Sequence, residues 1–152
     1  MLLSPTGPSY EVSGRIAAPA GVVWEVLTDV EAMPTWTASM TQVEIVGGGP
    51  LAVGSAAKIR QPRLLPAIWK VDEWSPQTSF TWSSSGPGVR TVGRHEVRPV
   101  DERQSEVALG VELQGPLAPL IWRLVAATTR RYVGLELAGL TQESERRAQS
   151  GE

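Results

Sequence analysis

Few side chains in this 152-residue chain could move a proton or polarise a substrate, and what is missing narrows the chemistry. There is one histidine, His95, and no cysteine. The absent thiols exclude disulfides, thiolate metal sites, iron–sulfur ligation and cysteine nucleophiles. One imidazole with scattered carboxylates, and no HExxH or DxDxDG spacing, does not make a metal centre, so neither a metal nor a cofactor is expected. Serine catalysis needs a base and an orienting third group, and no Gly-x-Ser-x-Gly elbow marks a nucleophile. Gly47-Gly48-Gly49 runs into Pro50 between two strand patterns, so it is a hairpin turn and not a phosphate loop. What remains is proton transfer by the imidazole and by carboxylates, provided the fold turns such groups into one apolar hollow.

The elements that must do so can be read from periodicity. Tyr10 to Ala17 alternates as a half-buried strand. Ala18-Pro19-Ala20 then introduces a short helix carrying Val22, Val23, Trp24, Val26 and Leu27, and Val30 to Trp36, interrupted by Pro34, is a second short helix or turn. From Met40 the period is two, with turn residues every 8 to 14 positions. The strands expected are Thr41 to Val46, Ala56 to Gln61, Ile68 to Trp74, Ser79 to Ser84, Val89 to Arg98 and Glu106 to Leu113. The chain closes on Pro116 to Arg147, where Leu117, Leu120, Ile121, Leu124, Val125, Thr128, Tyr132 and Leu135 recur at helical intervals, with Arg123, Arg130, Arg131 and Glu136 mostly between them. A helix from Pro119 to Arg147 would be roughly 43 Å long at about 1.5 Å per residue. It needs a cover of similar length.

Alternation also assigns faces. With Arg90, Arg94, Glu96 and Arg98 on the wet side, Thr91, Gly93, His95 and Val97 turn inward. Lys70 and Asp72 facing out would place Trp69, Val71 and Glu73 inside, followed by Phe80 and Trp82. In the last strand Val107, Leu109, Val111 and Leu113 share the dry face. A bent sheet with one dry face closes best around a single element laid across it, and the long helix is that element.

These residues carry a family resemblance. Ala18-Pro19-Ala20, Val23-Trp24-Glu25-Val26-Leu27-Thr28-Asp29, Met33-Pro34-Thr35-Trp36, Val43-Glu44-Ile45 and Gly54-Ser55 resemble the opening of START-like polyketide cyclase/dehydratase and lipid-transport proteins. The Trp74-Ser75-Pro76 turn and Leu135 to Leu140 are similar to later stretches of the same superfamily. The resemblance implies an α+β helix-grip fold. A seven-stranded antiparallel sheet would wrap around the C-terminal helix, two short helices would follow the first strand, and a hydrophobic cavity would lie between sheet and helix. It implies a hydrophobic or aromatic small-molecule ligand, lipid or polyketide-like. It also leaves open a polyketide aromatase/cyclase or dehydratase, and an interaction module whose hollow its own tryptophans fill. Ring closure would use His95 and Glu73 for the proton and Tyr132 for an oxyanion. Family cyclases place an arginine in the cavity, whereas Arg60 and Arg94 here fall on the wet face.

The chain has six Trp against two Tyr and one Phe. Trp24 reads as plain core. Trp36, Trp69, Trp82 and Trp122, with Leu109, Leu120, Leu124 and Thr128, are expected around a ligand, since a broad apolar ring with one N–H suits both core and site. Leu64 and Leu65, between Arg63 and Pro66 in a connection that should be solvated, suggest a lid, a subunit contact in a possible homodimer, or a membrane-touching tip. A net charge of −2 supplies no basic stripe for nucleic acid. No apolar run reaches the ~18 residues of an integral membrane segment, and Met1 to Pro5 lacks the basic start of a signal peptide, so a cytoplasmic protein is expected. Residues 1–9 are expected to form a flexible leader, 10–147 a single domain and 148–152 a disordered tail.

Overall fold

The computed structural model describes residues 7–151. Residues 1–6 of the expected leader and residue 152 of the expected tail lie outside the described residues. The chain runs β1 (Ser9–Ile16), α1 (Ala20–Thr28), a 3-10 helix (Val30–Thr35), then β2 (Gln42–Ile45), β3 (Ala56–Arg60), β4 (Ala67–Ser75), β5 (Ser79–Gly86), β6 (Val89–Pro99), β7 (Ser105–Gln114) and α2 (Ala118–Gln149). The strands form one seven-stranded sheet in the order β1-β7-β6-β5-β4-β3-β2. Every pairing is antiparallel. From β2 to β7 each strand pairs with its successor, as the evenly spaced turns require, and only β1 returns from the far end of the sequence to pair with β7. This is the helix-grip α+β architecture.

α2 packs against β1, β7, β6 and α1. It continues to Gln149, two residues past the boundary expected at Arg147, with Arg146 and Arg147 in its last turn where cations suit the carbonyl end. The core lies between the sheet's concave face, α1 and the later half of α2. Ile16, Val23, Val26, Leu27, Val30, Met33, Val107 and Leu140 are fully buried there, each contributing roughly 1.5–3 kcal/mol by leaving water. Trp24 meets Trp74 edge-on at 5.3 Å and Phe80 at 6.2 Å, and this aromatic cluster seats α1 against the sheet. The 3-10 helix is tied to the sheet by Glu31, whose carboxylate accepts the Ile45 amide at 2.9 Å.

Two faces differ from the alternation. In β4 the register shifts between Val71 and Glu73. This bulge reverses the inward set by one position, so Trp74 joins the interior and Glu73 stands exposed on the outside. The convex face is also not uniformly wet. Glu112 is only 1% exposed, paired with Arg94 at 2.6 Å and accepting the Gly7 amide at 3.2 Å. A carboxylate taken out of water needs both partners.

Candidate functional site

Between the concave face and α2 lies a cavity of ≈ 90 Å³. Met40, Ile59, Trp69, Trp82, Leu109, Val111 and Val133 supply its apolar wall, and Gln61, Arg94, His95, Thr129, Tyr132 and Glu136 its polar residues, with the Arg94 guanidinium engaged by Glu112. Sites for drug-sized ligands span about 300–1,000 Å³. The hollow is therefore smaller than one that encloses a drug-sized ligand whole. The Trp69 and Trp82 ring centroids lie 5.9 Å apart, with the planes tilted by 45°. Gly93 leaves room for the Trp82 indole: a Cβ there would come within 2.8 Å of its Nε1.

His95 projects from the middle of β6 and is 4% exposed. Its ring stacks on Phe80 at 4.0 Å and meets Trp82 edge-on at 5.5 Å. Nδ1 lies 3.1 Å from the Phe80 carbonyl, which can only accept, so that nitrogen carries the proton and Nε2 presents its lone pair. Nε2 faces the Glu136 carboxyl, 3.8 Å away. Burial disfavours both charges. It lowers the His95 pKa to about 4, against a smaller opposing effect of the Phe80 hydrogen bond, and raises that of Glu136 to about 7. Between those values both groups are neutral, so the contact is not an ion pair. A free base lone pair and a carboxylic acid proton share one cavity.

Glu136 is the residue that reading the sequence missed. It looked like one of the charges between apolar positions, yet it lies four residues after Tyr132 and three after Val133, on the face that α2 turns inward. The buried and half-buried stripe is Ala118, Ile121, Val125, Thr129, Tyr132 and Val133, Glu136 and Leu140. It is offset from the expected one, because the first half of the helix is apolar on two sides and the sheet covers only one. Leu120 and Leu124, expected at the ligand, are instead 55% and 74% exposed. Trp122 is half-buried outside the cavity, with the Arg130 guanidinium 5.8 Å from its ring centre. Trp36 packs on the other side of α2, where its carbonyl would lie 1.8 Å from a Cβ on Gly139.

Of the residues expected to act together, His95, Trp69, Trp82, Leu109 and Tyr132 line one cavity, and Glu73 does not. The Tyr132 hydroxyl donates to the Pro62 carbonyl in the β3–β4 loop. Thr128 lines a neighbouring recess. Leu64 and Leu65, in the same loop as Pro62, are 36% and 89% exposed. Among the described residues no group of three or more His, Asp or Glu stands together as metal ligands, and no helix is long and apolar enough to cross a membrane.

The family model for polyketide cyclase/dehydrase and lipid transport matches residues 8–145. The chain belongs to that family. No curated protein matches it significantly. Among solved structures, this polyketide cyclase/dehydrase family member is similar to the Zhui aromatase/cyclase from Streptomyces sp. R1128, with 19% identity, 95% of this chain and 97% of that chain covered, and a TM-score of 0.76. A hypothetical protein from Helicobacter pylori aligns over 95% of this chain and 98% of its own at 13% identity and a TM-score of 0.75. A START superfamily protein from Mycobacterium smegmatis aligns over 90% and 99% at 16% identity and a TM-score of 0.68. At such identities the likeness is one of fold.

The buried Glu136 has a consequence for stability in this family member. Its folded-state pKa is raised, so its contribution is complete below the unfolded value of 4.5 and is lost as pH rises through about 7. His95 does the reverse: its contribution is present above 6.5 and is lost as pH falls through about 4. Glu136→Gln is therefore expected to raise stability at pH 8 by on the order of 1–3 kcal/mol and to change little at pH 4.5. Urea denaturation at the two pH values measures this, and an equal effect at both would mean that the carboxyl is solvated.

Proposed function

We propose that the cavity holds a polyketide-like ligand and catalyses its cyclisation or dehydration by paired proton transfer. The observation that carries this is the juxtaposition of the His95 Nε2 lone pair and the Glu136 carboxyl at 3.8 Å inside an aromatic-walled hollow. In a β-hydroxy ketone, His95 would take the proton α to the carbonyl, breaking that C–H bond and leaving an enolate. Glu136 would give its proton to the departing hydroxyl, which leaves as water while the enolate electrons form the C=C bond. The proton on His95 then returns to the Glu136 carboxylate and resets both groups. In ring closure the same enolate would attack a second carbonyl, forming a C–C bond, with Glu136 protonating the alkoxide. The family match and the fold of the aromatase/cyclase support this reading.

A second reading, an apolar carrier without chemistry, is favoured by Tyr132. Its hydroxyl proton is engaged by Pro62 and is not offered to an oxyanion. Dehydration of an aromatic β-hydroxy ketone, followed by enone absorbance, separates the two. The catalytic reading predicts acceleration over buffer, whereas saturable binding with no acceleration would leave only the carrier.

A further inference from the structure

Beside the cavity is a second recess, bordered by Ala38 after the 3-10 helix, by Pro62 and Arg63 of the β3–β4 loop and by Thr128, Arg131, Tyr132 and Leu135 of α2. Tyr132 also lines the first cavity, so one side chain stands between the apolar hollow and a recess holding two arginines. The two segments that carry the arginines are free of carboxylates: no Asp or Glu occurs between Glu44 and Asp72, or between Glu112 and Glu136. Among the described residues neither Arg63 nor Arg131 enters an ion pair or a side-chain hydrogen bond. The backbone that carries Arg63 is also fixed. Arg63 has φ 67°, a left-handed conformation uncommon for a non-glycine residue. The turn is closed by the Leu64 amide on the Gln61 carbonyl at 3.2 Å and fastened to α2 by the Tyr132 hydroxyl on Pro62. A loop held in such a conformation by its surroundings suits a side chain whose position matters.

We propose that this recess is an anion site. It takes the carboxylate or phosphate-ester end of a ligand whose apolar end enters the hollow past Tyr132. The protein's ligands are then anionic amphiphiles and not neutral hydrophobes, an inference that rests on the apolar-cavity reading above. Guanidinium groups pair with carboxylate and phosphate oxygens in the same forked geometry, so both sources are served.

Three probes with one ring system test it: methyl 2-naphthoate, 2-naphthoate and 2-naphthyl phosphate, titrated by quenching of Trp fluorescence. The wild type is expected to bind both anions about tenfold more tightly than the ester at low salt, with the advantage shrinking near 0.5 M salt. Arg63→Gln with Arg131→Gln should erase the advantage and leave ester affinity within about twofold. Equal affinity for all three probes in the wild type, or an advantage that survives the double variant, overturns the anion site while leaving the hollow in place. Anion binding that depends on both arginines, with no ester binding, supports the recess and overturns the apolar reading. No binding of any probe overturns both. The order of naphthoate and naphthyl phosphate identifies which anion the recess prefers.

Discussion

Glu136→Gln is expected to lower turnover of a β-hydroxy ketone by about 10²–10⁴-fold while changing its binding less than about threefold. The amide keeps the shape of the carboxyl and removes only its transferable proton. His95→Ala should cause a loss of similar size by removing the base, and the two together should cost little more than either alone, since each acts through the same proton circuit. The pH profile provides a sharper signature. The productive form has His95 unprotonated, hence above about 4, and Glu136 protonated, hence below about 7. Activity should rise through the first value, fall through the second, and lose its alkaline limb in Glu136→Gln. Glu73→Gln, on the outside of the bulge in β4, should match the wild type. Full activity in Glu136→Gln, or an alkaline limb that survives it, would rule out the acid role.

Gly139→Ala is expected to destabilise the protein by about 3 kcal/mol or more, although alanine normally improves a helix interior by roughly 0.5–1 kcal/mol. The added Cβ would lie 1.8 Å from the Trp36 carbonyl oxygen and 2.9 Å from its carbon. Both are backbone atoms that no rotamer change can move aside. α2 would have to lift from the turn that follows the 3-10 helix, and Glu136 sits one helical turn earlier, opposite His95. Gly134→Ala is the internal comparison. That glycine is exposed and nothing lies within 4 Å of its Cβ, so the ordinary gain of up to about 1 kcal/mol should appear. Urea midpoints of the two variants decide the matter, and similar shifts in both would mean that the close approach at Trp36 does not hold in solution.

The strand set, the antiparallel order and the long closing helix were legible because each rests on local signals. Alternation marks a half-buried strand, Gly and Pro mark turns, and three- and four-residue spacing marks a helix. The inward direction of His95, Trp69 and Leu109 followed from charged neighbours at alternating positions, since a charge left in water fixes its whole strand, and that of Trp82 from its alternation with Thr81 and Ser83. Glu73 broke this logic because a bulge adds one residue to one strand without altering its composition. Glu112 broke it because it pairs with Arg94 and accepts the Gly7 amide, a contact more than a hundred residues away in the chain.

The helix shows the limit most clearly. From Leu117 to Val125 it is apolar on more than one side, so periodicity alone admits more than one facing, and a one-residue offset rotates the helix by about 100°. Its sequence determined that α2 exists, where it starts, and that it needs a cover. Which stripe the sheet covers was decided in three dimensions, by the close seat of Gly139 on Trp36 and the bed of β1, β7 and α1. That seating turns Leu120 and Leu124 to water and brings Glu136 to His95. Whether two titratable groups meet depends on rigid-body packing between elements far apart in the chain, and no local pattern encodes that distance.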